Sequence, residues 1–435
     1  MKTPKNISIE KALSLVCDND KIVCACATTE PQGFLSNLHT IANKVQGTQI
    51  WMTLSMRSYP FLQDKNIGNN FKINSMFFSK PIRDAASLLD TVSYVPTHLR
   101  NTAITALAAK PIDIFIGTCT PPTKDGKVSL GLADVYESEV LSKAKTVILE
   151  VNPKMPYTYG TTEIDISKVD YFVEVDFDIP EDKPAPINDK DKAIGGFISE
   201  YIKDGDCMQI GIGSIPNSVV QYLKSKKDLG VHTELAGDGA IELVKKGIAT
   251  GAKKTINKGI LSTSIVFASK ASYDFAHKNK NVKVMTCSYS NAFATLAQSD
   301  NQVSINTSLE IDLTGQCCSE SIGSNQFSGT GGQTDTAVGT QMAKGGRSFI
   351  ALYSTANVRQ ADGTRKEASK IVGQLKQGAA VSLHRNDVMY IVTEYGAVNL
   401  KGLSVSERAH ALIGIAHPDF RGQLTEQAKS LGLIK

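Results

Sequence analysis

The chain has 435 residues, of which 41% are hydrophobic and 21% charged, and its formal charge at neutral pH is +4. That length exceeds what one hydrophobic core ordinarily serves and implies two domains. The composition excludes a disordered chain, and scattered Lys and Arg give no electrostatic footprint for nucleic acid or a membrane surface.

The opening MKTPKNISIEKALSLVCDND is interrupted by Glu10, Lys11 and Asp18, so it does not read as a signal peptide, and Ser8 is placed to cap a short helix. No apolar run reaches the roughly 18 residues of a membrane span. The cysteines lie mostly in apolar, strand-like runs, among them Cys24, Cys26, Cys207 and Cys287. They lack C-x-x-C pairs and histidines at metal spacing, which predicts reduced, buried thiols in a cytoplasmic protein and no metal site.

DKIVCACATTEPQGFLSNL (20–38) predicts a strand, a tight turn and a helix with Pro31 in its first turn, where a missing N–H is harmless. Buried strands follow at IDIFIG (112–117) and KTVILEVN (145–152). The acidic, proline-containing stretch 173–192 reads as a linker, dividing the chain into domains 1–186 and 187–435. DCMQIGIGSIPNSVVQYL (206–223) then repeats the first pattern: aligning Pro31 with Pro216 also matches Ala25 with Ile210, Phe34 with Val219 and Leu38 with Leu223. Further strands are expected at KVMTCS (283–288), RSFIALYS (347–354) and MYIVTEYG (389–396). Apolar strands alternating with amphipathic segments imply an α/β fold with mainly parallel sheets, and the internal echo implies two related open domains.

The two copies differ where it matters. Gly211 and Gly213 stand where the first copy has Cys26 and Thr28, so only the second turn presents bare backbone N–H groups to a ligand. With Glu234 about 20 residues further on, the arrangement resembles a dinucleotide site. However, Pro216 replaces the third glycine of that fingerprint, and Glu234 in VHTELAGDG leads into a Gly237-Asp238-Gly239 turn. A second glycine turn lies in FSGTGGQTD (327–335), with Gly329, Gly331 and Gly332 ahead of a helix-like segment. Two such turns and a glutamate between them suit donors aimed at an oxyanion or a phosphate. No G-x-S-x-G elbow is present. His232 reads as structural, Asp238 as a turn former, and Lys253, Lys254 and Lys258 as a solvated face.

Over nearly its whole length the chain resembles the acetyl-CoA hydrolase/transferase family of acyl-CoA:carboxylate CoA-transferases, which includes 4-hydroxybutyrate CoA-transferase. SYVPTHL (93–99), EVNPKMPYTYG (150–160), GIGSIPN (211–217), HTELAGDG (232–239), NKGILSTSIVFAS (257–269), SGTGGQTD (328–335) and ERAHALIGIAHPDFR (407–421) carry the resemblance in order. It implies two open α/β domains with the active site in the cleft between them. It implies Glu234 as a nucleophile that becomes a glutamyl-CoA thioester, with Gly331 and Gly332 lending N–H groups to the reacting carbonyl. Gly211, Ile212, Gly213, Ser214 and Ile215 are implied as the turn that contacts coenzyme A, together with Gly332. The implied substrates are a short-chain acyl-CoA (4-hydroxybutyryl, butyryl or acetyl) and a small carboxylate such as acetate, handled by a homodimer. An ordinary carboxylate is ionised at neutral pH and needs no base to attack. The sequence departs from the family at the glycine-poor CACATTEPQ (24–32) and at Ala236 and Gly237, where relatives often carry an aromatic residue and a serine. These departures bear on the acyl group. An acyl-CoA hydrolase on the same scaffold, an NAD-dependent oxidoreductase and a non-catalytic CoA-binding protein are the alternatives.

Overall fold

The computed structural model describes residues 3–68, 70–108, 110–183, 186–359 and 362–435. Two largely parallel sheets form its framework, each wound in both directions from an inner strand. In the eight-stranded sheet the spatial order is Lys5–Asn6, Tyr171–Glu174, Thr146–Val151, Ile114–Cys119, Lys21–Cys24, Thr48–Trp51, Phe71–Ser75, Val92–Tyr94. Every neighbouring pair is parallel. Lys21–Cys24 and Ile114–Cys119 are buried at every position, which is why they read as unbroken apolar runs and not as alternating ones. The chain steps outward from Lys21–Cys24, then returns to its other flank with Ile114–Cys119, so the winding reverses between these two strands.

The six-stranded sheet runs Gly230–Val231, Cys207–Ile210, Gln302–Thr307, Arg347–Ala351, Tyr390–Thr393, Gly396–Asn399. Its neighbours are parallel except for the closing hairpin. Here the reversal falls between Cys207–Ile210 and Gln302–Thr307. The two strands aligned by the internal echo, Lys21–Cys24 and Cys207–Ile210, are thus the strands from which each sheet is wound. Open α/β sheets bind ligands outside the carboxyl ends of strands at such a reversal.

The halves are sewn together. Tyr159–Gly160 pairs in parallel with Val282–Val284, Val266 N–H donates to the Leu132 carbonyl at 2.7 Å, and Asp134 N–H donates to that of Ser264 at 2.9 Å. One apolar cluster takes Ala25, Ala27 and Leu149 from the first half and Ile265 and Cys287 from the second. The expected strand at 283–288 is shorter than its apolar run: Thr286 caps a turn of helix, Cys287–Ser290, so the ladder stops at Val284. The expected linker lies along the second half, the Tyr273 hydroxyl donating to the Pro180 carbonyl at 2.6 Å. Residues 184 and 185 of that linker lie outside the described residues. All eight cysteines are free and seven are buried, Cys17 being exposed.

Candidate active site

Strand Cys207–Ile210 ends at Gly211, and Gly213, at φ +116°, caps helix Ser214–Tyr222. That backbone conformation is close to glycine-only. The first bond within the helix runs from Asn217 N–H to the Gly213 carbonyl at 3.1 Å, which leaves the Ser214 and Ile215 N–H groups at the free positive end. Pro216 has no N–H to lose. Ile212 is 37% exposed at the tip of the turn, whereas the Ile215 side chain lies in the core, so only its backbone is on offer at the turn. The Ser214 hydroxyl donates to Asp191 Oδ1 at 2.9 Å and is engaged internally.

Glu234 follows the neighbouring strand Gly230–Val231 and is held by its backbone on both sides. Thr233 Oγ1 accepts the Ile210 N–H at 3.2 Å and donates to the Leu235 carbonyl at 3.0 Å, tying the glutamate segment to the end of the inner strand. The Glu234 carbonyl accepts the N–H groups of Ser264 and Ile265, both at 2.9 Å. Three residues on, a Cβ built on Gly237 would lie 2.9 Å from Ile212 Cγ2, so the glutamate segment and the Gly211–Gly213 turn are in close contact.

The second glycine turn closes on the carboxylate itself. Gly332 caps helix Gln333–Met342, and a Cβ built on it would collide with Glu234 Oε2 and with Asn291 Nδ2. Asn291 Nδ2 donates to Glu234 Oε2 at 3.1 Å. The turn takes its shape from the first half of the chain. Phe78 N–H donates to the Ser328 carbonyl at 3.1 Å and Leu99 N–H to that of Gly331 at 3.0 Å, with Gly331 at φ +55°. Arg100 N–H donates to Asp335 Oδ2 at 2.9 Å, and its guanidinium pairs with the same buried carboxylate while lying 4.2 Å over the Phe293 ring.

These surroundings change the charge of the glutamate. Burial pushes the Glu234 carboxyl up to about 7; the Asn291 bond opposes the shift and the nearby Asp335 charge adds to it. The expectation of a carboxylate fully ionised at neutral pH is corrected accordingly: near pH 7 it is poised between its two forms.

The structure therefore brings Glu234 against Gly332, sets the Gly211–Ser214 turn against the segment that follows the glutamate, and leaves Ile215 to contribute backbone alone. Sequence reasoning missed Asn291, Thr233, Asp335 and Arg100. Asn291 sits in SYSNAF, which matches no chemical motif; Leu99 ends SYVPTHL, which stood out only as a family segment, and Arg100 directly follows it. His232 is structural as expected: its Nε2 is 2.8 Å from the Ser290 carbonyl oxygen, and burial lowers its pKa to about 4, keeping it neutral. Asp238 accepts from the hydroxyls of Ser269 at 2.7 Å and Ser272 at 2.5 Å, fixing the helix after the glutamate. Lys253 and Lys258 are exposed, but Lys254 is buried and donates to the carbonyls of Val231 at 2.8 Å and Ile260 at 2.6 Å, so it is no part of a solvated face. Among the described residues no group of three or more His, Cys, Asp or Glu is arranged to hold a metal ion, and no helix is long and apolar enough to cross a membrane.

Comparison with known proteins decides the lineage. Residues 3–181 match the acetyl-CoA hydrolase/transferase N-terminal domain and residues 269–428 the C-terminal domain of the same family. The chain belongs to the acetyl-CoA hydrolase/transferase family. It is 36% identical to 4-hydroxybutyrate coenzyme A transferase of Clostridium kluyveri over 98% of this chain and 97% of that protein. It is also 36% identical to succinyl-CoA:cyclohexane-1-carboxylate CoA transferase of Geobacter metallireducens, over 98% and 95%. Among solved structures, RipA from Yersinia pestis superposes with a TM-score of 0.90 at 33% identity, covering 99% of this chain and 98% of that one. Glu234 and the Gly211–Ile215 turn fall between the two family-domain matches, inside the span that the full-length relatives cover.

Proposed function

We propose that the protein transfers CoA between a short-chain acyl-CoA and a free carboxylate, and that Glu234 carries the CoA between the two half-reactions as a glutamyl thioester. The observation that supports this most is the packing of one carboxylate between Asn291 and Gly332, the glycine that caps helix Gln333–Met342.

Ionised Glu234 attacks the acyl-CoA carbonyl through one oxygen; the C–S bond breaks, giving an acyl-glutamyl anhydride and CoA thiolate. The thiolate attacks the glutamyl carbonyl, the bond from that carbon to the bridging oxygen breaks, and the first acid departs as carboxylate. An incoming carboxylate runs the sequence backwards and leaves as the new acyl-CoA. No proton is consumed overall. The anhydride lies well above a thioester, so the backbone donors must stabilise tetrahedral oxyanions, each worth on the order of a hundredfold or more. Binding of the remote parts of CoA supplies the rest of the driving force. The Gly332 and Gln333 N–H groups at one helix start, and those of Ser214 and Ile215 at the other, are the donors we assign. A carboxyl held near 7 is a stronger nucleophile once ionised than an ordinary one, at the cost of being partly protonated at neutral pH.

The acyl groups proposed are 4-hydroxybutyryl, butyryl and acetyl, with acetate as an acceptor, in a cytoplasmic homodimer. A hydrolase on the same scaffold would release CoA whether or not acetate is added. The direct test is intact mass after mixing with butyryl-CoA alone. A CoA adduct on Glu234, cleaved by hydroxylamine and absent from Glu234→Ala, is expected; an adduct on a cysteine overturns the mechanism.

A further inference from the structure

The amide that holds Glu234 is itself held. Asn291, Ser290 and Ser264 are all buried, so their polar atoms must find partners within the protein. Asn291 Nδ2 donates to Glu234 Oε2 at 3.1 Å, and on its other side Ser290 Oγ donates to Asn291 Oδ1 at 3.0 Å. Behind that bond the hydroxyl oxygens of Ser264 and Ser290 lie 2.5 Å apart. Three separate segments thus meet in one line, Ser264–Ser290–Asn291–Glu234. Backbone bonds fix them. Ser264 N–H donates to the Glu234 carbonyl and Asp134 N–H to that of Ser264, both at 2.9 Å, while the Ser290 carbonyl oxygen is 2.8 Å from His232 Nε2.

The line has a direction. A carboxylate only accepts hydrogen bonds, and an amide has one donating and one accepting end, so ionised Glu234 needs the nitrogen of Asn291 and turns the oxygen toward Ser290. Ser290 then places its single proton on Oδ1, and the proton between the two hydroxyls must come from Ser264. With the amide turned over, Oδ1 would face Glu234 and suit only a protonated carboxyl. Ser290 would then donate to Ser264, whose own proton would need another acceptor. Among the described residues the other hydrogen-bonding neighbour of that hydroxyl is the Cys287 thiol, a weak acceptor. The buried groups are therefore satisfied in one direction, the one that suits an anion at Glu234. Without the Ser290 hydroxyl, Oδ1 would be an orphaned acceptor and nothing would keep the amide from turning.

We propose that Ser290, oriented by Ser264, is a positioning residue whose hydroxyl fixes the Asn291 amide so that a donor, and not an acceptor, faces Oε2 of Glu234. Its hydroxyl bonds Asn291 and Ser264 and not the glutamate, so its influence on the carboxyl runs through Asn291. The value of that donor to CoA transfer rests on the function proposed above; the line itself rests on the geometry. The other titratable groups around the carboxyl are accounted for. Asp335, from helix Gln333–Met342, is paired with Arg100 and has His98 nearby. The Cys287 thiol is kept protonated by burial, and neutral His232 is engaged with the Ser290 carbonyl. None of these groups is altered by a change at Ser290.

The test uses the full chain with isotope-labelled glutamate carboxyls, whose titration is followed by NMR; the Glu234 signal is the one lost in Glu234→Gln. The pH profile of kcat/KM for butyryl-CoA is measured beside it. Ser290→Ala is expected to raise the Glu234 midpoint by roughly half a pH unit or more, and the rise in kcat/KM with it. Ser264→Ala, which leaves the Ser290 hydroxyl in place but unoriented, is expected to give a smaller shift of the same sign. In an Asn291→Ala background Ser290→Ala should add nothing, because the group through which it acts is gone. Ser348→Ala, which removes an equally buried hydroxyl from strand Arg347–Ala351, is expected to leave the midpoint where it was. A midpoint unchanged or lowered in Ser290→Ala, an equal shift in the Asn291→Ala background, or the same shift from Ser348→Ala overturns the proposal. Because the carboxyl is read without turnover, a chain that titrates as expected yet forms no thioester would sink the proposed function and leave this line standing.

Discussion

In the first half, the turn after Lys21–Cys24 is sealed. Residues 25–30 are buried, Glu137 Oε1 accepts the Cys26 N–H at 2.9 Å, and Glu150 accepts the N–H groups of Gly33 and Phe34 at 3.0 and 2.6 Å. In the second half, the matching turn is open: Ile212 and Gly213 are exposed and the Ser214 and Ile215 N–H groups have no partner within the helix. Both turns lie where their sheet reverses direction, and both offer backbone donors to a negative group. The first half fills that position with its own carboxylates, whereas the second leaves it open. A repeated unit can therefore keep its geometry and change its role by supplying or withholding one internal anion.

The comparison can be broken most severely at the proposed nucleophile. Glu234→Ala is expected to abolish the CoA adduct and lower kcat by roughly a thousandfold or more, read by intact mass and by acetate-dependent exchange. Gly332→Ala comes next, because its methyl would occupy the place of Glu234 Oε2; a loss of about a hundredfold in kcat, with the far-ultraviolet spectrum unchanged, is the expected result. Gly213→Ala forces a side chain into the φ +116° conformation, which costs about 1–3 kcal/mol. It should raise KM for acyl-CoA around tenfold while sparing kcat.

Titration sharpens the contrast. A Glu234 carboxyl at about 7 predicts that kcat/KM for acyl-CoA climbs with pH and levels off above that value. Asn291→Ala removes a bond to the ionised form and should move the rise to higher pH. The sign for stability is opposite to that for activity. Glu30, Glu150 and Glu234 are all raised from 4.5 to about 7, chiefly by burial, so the folded chain holds these protons more tightly than the unfolded one. Stability is then expected to fall as pH rises from about 4.5 through 7. Smallest in its effect on turnover is Glu150→Ala, which empties the sealed turn. It should cost about 2–4 kcal/mol in thermal or denaturant unfolding by orphaning two buried N–H groups, yet still form the Glu234 adduct.

The elements legible in the sequence were those whose physics is local. Fully buried parallel strands announce themselves as apolar runs, and GIGSIP announces a strand–turn–helix junction because glycine and proline are needed at fixed places. The likeness to a dinucleotide site also has a physical basis: Glu234 does follow the strand next to Cys207–Ile210, as a ribose-binding acid would, but its carboxylate is set against Gly332. What the sequence concealed were encounters between distant segments. Asn291 meets Glu234 across 57 positions and Arg100 meets Asp335 across 235, and neither pairing leaves a spacing to detect. The pKa of Glu234 was hidden for the same reason, since desolvation depends on what folds over a residue and not on its neighbours in the chain.

Asn291 grips only Oε2 of Glu234, and Oε1 accepts no hydrogen bond among the described residues. Under the proposed chemistry a single atom therefore changes hands. The first acid carries Oε1 away when it leaves, and the acceptor acid leaves one of its own oxygens in that place. Heavy-oxygen label introduced in acetate would accordingly reappear in the acid released during the following cycle, while the amide-held atom stays with the protein through every turnover.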